Sequence, residues 1–211
     1  MGVFLFVTVS CDSGKGSDSG IVSDSGKGGD SGNDSDSGNG SFTDPRDGKS
    51  YETVTIGNQV WMAENLAYEP TSGNYCASDN DKSNVETYGY LYNWQTALNV
   101  CPVGWHLPSD NEWKELTTFV GFFDSVKKLK AKSGWSDNGN GSDDYGFTAL
   151  PGGECSWGGA LFFVGHSGYW WSATEANTDR AWRRSIYYSL SHVNFDPSDK
   201  ESGFSVRCVR D

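Results

Sequence analysis

CPVGWHLPSDNEW, residues 101–113, is the stretch that decides how this chain folds. Ser109 stands three residues before Glu112, the spacing of a capping box. The serine side chain accepts from the amide of residue 112 while the glutamate side chain reaches back to the amide of residue 109. A helix is therefore expected to start at Asp110. Trp113, Leu116, Phe119 and Val120 recur at near-helical spacing, so one stripe of that helix should face a core while Lys114, Glu115 and Thr118 face water. Upstream, YGYLYNWQTALNVC reads as a short helix from about Tyr92 to Val100, with Tyr90, Trp94 and Leu98 along one side. Downstream, VKKLKAKSGW reads as a second helical turn stopped at Gly134.

Strand patterns flank these helices. TVTIGNQVWM alternates as a hairpin, with Val54 and Ile56 before the two-residue turn Gly57-Asn58 and Val60 and Met62 after it; Tyr51 and Trp61 are expected on the opposite face. The last third reads as antiparallel strands over residues 169–172, 180–190 and 204–209. In the middle strand Trp182, Arg184, Ile186 and Tyr188 share a face and Arg183 and Tyr187 take the other, so one face should be core and the other ligand-facing.

Two further segments, GYWWSAT at 168–174 and GFSVRCVRD at 203–211, complete a pattern with residues 101–113. It resembles the Fibrobacter succinogenes major paralogous domain, a bacterial surface-protein family similar in pattern to C-type lectin-like and formylglycine-generating-enzyme-like folds. The resemblance implies an α+β, C-type lectin-like fold over residues 42–211, with two short helices packed on small antiparallel sheets and long loops. It implies a scaffold rather than an activity, because function resides in sites grafted on folds.

The four cysteines beyond Cys11 allow three pairings. In lectin-like relatives a long-range bridge ties the region before the second helix to the last strand, which here implies Cys101 with Cys208 and leaves Cys76 with Cys155. Val85 stands where the family's usual local partner for Cys76 falls. A bridge closing the long loop from Cys101 to Cys208 would stabilise by about 4 to 5 kcal/mol in the chain-entropy treatment.

The 211 residues carry 28 acidic and 16 Lys or Arg side chains, a net charge of −12. Residues 12–41 are almost wholly Ser, Gly, Asp, Asn and Lys and hold six of the acids and two of the lysines, so the remainder is itself acidic at −8. Such a segment does not bury enough apolar surface to fold and is read as a disordered tether, with a reach of roughly 30 Å. Residues 1–11 end in an apolar run and Ser10-Cys11, which reads as a lipoprotein-type signal peptide with Cys11 as the lipidation site; an ordinary secretory signal is the alternative. Both place the protein outside the cytoplasm, and the first places it at the cell envelope, lipid-anchored on the outer surface, with the membrane touched through that anchor only. The acidic balance argues against nucleic acid and other polyanions and favours carbohydrate or an envelope protein as partner.

Catalysis finds little support. No Gly-rich phosphate loop, nucleophile elbow or HExxH stretch is present, and the chain is read as a non-catalytic binding module. No cofactor is expected. No metal is either: the cysteines and histidines are scattered, and the two acidic loops (Asp79, Asp81 and Glu86; Asp137, Asn138, Asn140, Asp143 and Asp144) fit turn formers better than an EF-hand. Aromatic residues make up 14% of the chain, and exposed rings offer flat surfaces for sugar C–H faces or protein contacts. Trp61, Trp94, Trp105, Trp113, Trp170 and Trp171 lie in framework motifs and are assigned to the core. Trp157, Phe162, Phe163 and His166, in the Gly-rich stretch CSWGGALFFVGHSG, rank first as ligand-binding residues, followed by Trp182, Tyr187 and His192. Alternatives are a structural or assembly protein of the envelope and a cofactor-independent enzyme on the same scaffold.

Overall fold

The turn at Gly57-Asn58 sets the faces of the strands on either side of it. In the computed structural model, which describes residues 39–156 and 160–211, β2 (Ser50–Ile56) and β3 (Gln59–Met62) pair with Ile56 opposite Gln59 and Val54 opposite Trp61. Gly57 supplies the left-handed turn conformation with φ of 64°. Cross-strand partners share a face. Trp61 therefore joins Val54 and Ile56, while Met62 joins Thr53 and Tyr51, which corrects the expected grouping. A two-residue turn pairs even positions of one strand with odd positions of the other.

β1 (Asn39–Thr43) pairs antiparallel along β2, so the last residues assigned to the tether by composition begin the folded part. Cys11, residues 12–38 and Trp157 lie outside the described residues. The remaining strands are β4 (Tyr75–Ala77), β5 (Tyr90–Tyr92), β6 (Trp105–His106), β7 (Glu154–Cys155), β8 (Leu161–Phe162), β9 (Ser167–Glu175), β10 (Arg180–Tyr187), β11 (Asn194–Asp199), β12 (Phe204–Ser205) and β13 (Val209–Arg210). Four short helices join them among the described residues: α1 (Val85–Tyr88), α2 (Trp94–Val100), α3 (Asp110–Val120) and α4 (Ser125–Leu129). The fold is mixed α+β with sheet predominant.

One sheet runs β1-β2-β3-β13-β6, a second runs β11-β10-β9-β12-β5-β4, and β7 and β8 form a separate hairpin. Pairing is antiparallel except between β12 and β9. The carboxyl-terminal segment crosses from one sheet to the other between Ser205 and Val209, and its carbonyls tie back to the end of β3 and the residues after it, with Cys208 O accepting from Met62 N–H (3.1 Å) and Val206 O from Leu66 N–H (2.8 Å).

Two apolar clusters result. One gathers Tyr51, Met62, Tyr92, Trp94, Trp171 and Phe204; the other gathers Ile56, Trp61, Trp113, Leu116, Phe147 and Trp170. The adjacent tryptophans of β9 point to opposite faces, as strand geometry requires, so this strand is buried on both sides. The same holds for β10, where Arg184 and Ile186 sit on one buried face and Ala181 and Ser185 on the other. Contrary to the sequence expectation, the strand does not divide into one core face and one open face, since both carry buried residues, while Trp182, Arg183 and Tyr187 are half-buried.

The capping box forms as read: Ser109 Oγ accepts from Glu112 N–H (3.3 Å) and Glu112 Oε2 accepts from Ser109 N–H (2.7 Å). Trp113, Leu116 and Val120 are buried, but Phe119 is 57% exposed. At 100° per residue Phe119 lies about 120° from Trp113, outside the buried stripe. Leu98 is likewise turned away from the face of α2 made by Trp94, Ala97 and Val100, and Tyr90 to Tyr92 are strand rather than helix. α4 ends at Leu129, before the predicted stop at Gly134.

Candidate functional site

The three sequence motifs converge, and what they build is a joint. Cys101 is disulfide-bonded to Cys208. His106 lies between two carboxylates, its Nδ1 2.6 Å from Asp211 Oδ1 and its Nε2 2.7 Å from Glu112 Oε1. Carboxylates only accept, so a ring that serves both carries a proton on each nitrogen. Burial opposes the charged imidazolium, Asp211 and Glu112 favour it, and the net effect raises the His106 pKa. Glu112 is held below the usual carboxylate range: burial works against this, but its bonds to Ser109 and His106 prevail. Asp110 donates its amide to Thr174 Oγ1 (2.9 Å) and accepts from the buried Arg184 guanidinium through Oδ1 (2.5 Å). Trp113 Nε1 donates to Trp171 O at 3.3 Å.

Indole groups throughout this framework are satisfied in the same way, with Trp94 Nε1 donating to Ser172 O (2.8 Å), Trp170 to Asn65 Oδ1 (2.8 Å) and Trp171 to Tyr92 O (2.7 Å). Buried polar tips then cost little. Arg207 is fully buried beneath them, donating to Asn65 Oδ1, Ala63 O, Phe147 O and Thr148 O. Burial pushes its pKa down to about 9, with Glu64 and Asp143 opposing the shift. Thr148, whose carbonyl Arg207 holds, has φ of 51°, and Asp143 fastens the same residue through its amide (2.8 Å) and hydroxyl (2.9 Å).

The second acidic loop is thereby accounted for. Asp137, Asn138 and Asp143 adopt left-handed turn conformations, and Asn140 Oδ1 accepts from Trp135 N–H at 3.0 Å. Asp81 caps a short turn by accepting from Ser83 N–H, and Glu86 is exposed in α1. Among the described residues no three His, Cys, Asp or Glu side chains are grouped to hold a metal ion.

The hairpin of β7 and β8 is built differently. Gly153, with φ of 70°, brings its Cα against the Phe162 carbonyl, where a Cβ would collide. Phe162 and Phe163 follow with ring centroids 6.1 Å apart, and they are 45% and 54% exposed. Phe163 holds φ of 67°, and its carbonyl accepts from the amides of His166 and Ser167 at 2.9 Å. A bulky residue in this region is an outlier held in place by its surroundings. Glu154 at the base of the hairpin has its pKa raised by burial, against the pull of Arg183. The Arg183 Nε and Nη1 are buried without a hydrogen-bond partner among the described residues, and its guanidinium lies 4.5 Å above the Tyr169 ring instead.

Beside this hairpin lies a cavity of about 420 Å³ lined by Tyr75, Cys76, Asn93, Cys155, Ser156 and Glu201. Cys76 and Cys155 are free thiols there, so the second expected disulfide is absent as a bond. The two side chains nevertheless meet. The interaction with Cys155 raises the Cys76 pKa, an effect that burial reinforces, and the same interaction lowers that of Cys155, whose thiol also donates to Ser156 O at 3.6 Å. The pair is spatially matched because Cys76 stands opposite Leu91 in the β4–β5 ladder, while Cys155 and Gly203 exchange both backbone hydrogen bonds alongside Leu91.

The sequence profile of the Fibrobacter succinogenes major domain matches residues 54–210. The chain belongs to this family. No curated protein and no solved structure gives a match. The matched span covers both sheets from β3 onward, all four helices, the joint and the aromatic hairpin, so the Fibrobacter succinogenes major domain includes the framework and its exposed rings together.

Of the ligand-binding candidates within this domain, Phe162, Phe163 and His166 are brought to one end of β9. His166 is exposed, with its ring 5.6 Å from Tyr188, and Tyr187 is half-buried against Tyr169 at 5.9 Å. Trp182 sits toward the other end of β10, opposite Pro197, and His192 stacks on Phe122 at 5.8 Å elsewhere. Sequence reasoning missed the group to which His192 belongs. Phe119, Phe122 and Phe123 are 57%, 52% and 80% exposed around Gly121, the residue that ends α3. The signal was the run Gly121-Phe122-Phe123 just past a helix end, where no helical face remains to bury rings.

Proposed function

We propose that this protein is a lipid-anchored, extracytoplasmic binding module with a C-type lectin-like fold, which recognises carbohydrate through the rings of the β7–β8 hairpin without catalysing a reaction. One observation carries the reading: Phe163 keeps its ring more than half exposed while its backbone holds a left-handed conformation that costs about 1 kcal/mol or more. Nothing in core packing rewards that combination, whereas a flat apolar face presented beside Phe162 and His166 suits the C–H face of a sugar ring. The Cys101–Cys208 disulfide supports an oxidising compartment, consistent with an anchor at Cys11.

A polysaccharide array with wild type, Phe162→Ala and Phe163→Gly tests it. Glycan binding by wild type that disappears in both variants, with Tm changed by no more than about 2 °C, supports the reading. Binding that survives both substitutions removes it. A second reading, a permanent protein contact in the cell envelope, is favoured by Phe123, which is 80% exposed beside Phe119 and Phe122. Stoichiometric recovery of one envelope protein by wild type, lost in Phe123→Ser and retained in Phe163→Gly, would favour that reading.

A further inference from the structure

Two free thiols that line one cavity, in a molecule whose other described cysteines are already oxidised to a disulfide, are placed to react with each other. We propose that Cys76 and Cys155 form a thiol–disulfide exchange site, which a low-molecular-weight disulfide converts to a Cys76–Cys155 bond that clasps the β7–β8 hairpin to β4. The step balances as follows. The Cys155 thiolate attacks one sulphur of the small disulfide, forming a mixed disulfide and expelling one thiolate. Cys76 then attacks the Cys155 sulphur and expels the second, and the two protein protons pass to the two leaving thiolates. The small disulfide is reduced to two thiols and the protein pair is oxidised.

The roles follow from the surroundings. Both residues line the cavity; the proximity of Cys76 lowers the Cys155 pKa, so Cys155 is the better thiolate, while Cys76, whose pKa is raised by Cys155 and by burial, resolves. The cavity of about 420 Å³ gives a small disulfide access to both sulphurs. Cys208, by contrast, is fully buried, and its bridge to the half-buried Cys101 is already formed. The consequence is mechanical: Cys155 belongs to the hairpin and Cys76 to the edge strand β4, two elements joined through hydrogen bonds across β5 and Gly203 and from Ser78 to Gly152. The inference stands whether or not the exposed rings bind a glycan.

Full-length protein treated with dithiothreitol under conditions that spare Cys101–Cys208, desalted and challenged with glutathione disulfide, tests it by non-reduced peptide mapping, which reports Cys11 separately. The expected product is a Cys76–Cys155 cross-linked peptide with no lasting glutathione adduct on either residue. A rise in Tm of roughly 10 °C and a fall of about tenfold in chymotrypsin cleavage after Phe162 and Phe163 should accompany it. Cys76→Ser should trap a stable adduct on Cys155, and Cys155→Ser should slow modification of Cys76 by about tenfold or more. A persistent adduct on wild type, equal reactivity of Cys76 in the two backgrounds, or no reaction of the folded protein overturns the proposal. Should a variant fail to fold, the wild-type map decides alone.

Discussion

The joint around α3 and the hairpin of β7 and β8 treat aromatic rings in opposite ways. At the joint, Trp113, Trp170 and Trp171 are buried and each indole N–H has an acceptor. In the hairpin, Phe162 and Phe163 stand in water, and the backbone of Phe163 is held where a side chain is disfavoured. Every ring of the first region lowers the free energy of the fold through burial, about 25 cal/mol per Å² of apolar surface. Those of the second do so only in part. Rings that contribute little to folding, yet are held by strain, are available to a partner.

The sharpest way to break this comparison is to open the joint. Replacing Cys101 and Cys208 together by Ala removes a link between positions 107 apart and is expected to lower stability by about 4 to 5 kcal/mol in denaturant unfolding. A loss below about 1 kcal/mol would mean that the joint holds without its covalent bond. Arg207→Met keeps volume but removes the donor to the carbonyls of Ala63, Phe147 and Thr148, and leaves the Asn65 amide oxygen with the Trp170 indole alone. The expected cost is about 3 kcal/mol, measured the same way. Ser109→Ala removes the serine half of the cap of α3 and should cost about 1 kcal/mol, and adding Glu112→Ala should cost more again, since Glu112 still accepts from the residue 109 amide and from His106.

Smaller still is the pH effect of His106. Its folded pKa is raised, so its stabilising contribution is complete below the unfolded value of about 6.5 and is lost as pH rises through the folded value. Tm should therefore decline from about pH 6.5 upward, and the decline should shrink in His106→Gln; parallel profiles would remove His106 from the account. In the hairpin, finally, Phe163→Gly should change stability by no more than about 0.5 kcal/mol, because relief of the left-handed strain offsets the partial burial that is lost. A loss above about 2 kcal/mol would place Phe163 with the buried rings and dissolve the contrast.

Much of the framework was legible because its signals are local. The capping box needs only Ser109 and Glu112, and the hairpin needs only the Gly57-Asn58 turn between alternating strands. Errors arose where a local pattern had to be converted to a direction. Phe119 fits a helical repeat loosely, and only the position of the sheets decides that the stripe runs from Leu116 to Val120 on the other side. β11 was not read as a strand because Asn194–Asp199 contains Pro197 and two acids; it survives as a strand because it is the sheet's outer edge, where a missing amide and solvated charges are tolerated. Of the candidate site, Phe162, Phe163 and His166 were legible as rings outside the framework motifs, whereas Phe122 and Phe123 were passed over although they follow the glycine that ends α3.

By itself the sequence determined the family, the start of α3, the turn between β2 and β3 and the acidic character of the chain; the pairing of Cys101 with Cys208 was implied only through the family resemblance. Each depends on neighbours in the chain or on motifs whose spacing is fixed. Tertiary structure alone decided that β9 is buried on both faces, that Arg207 lies in the core, that two distant thiols line one cavity, and that some phenylalanines remain in water. Burial is a property of what else arrives at a position, and the residues that arrive here come from the far ends of the chain.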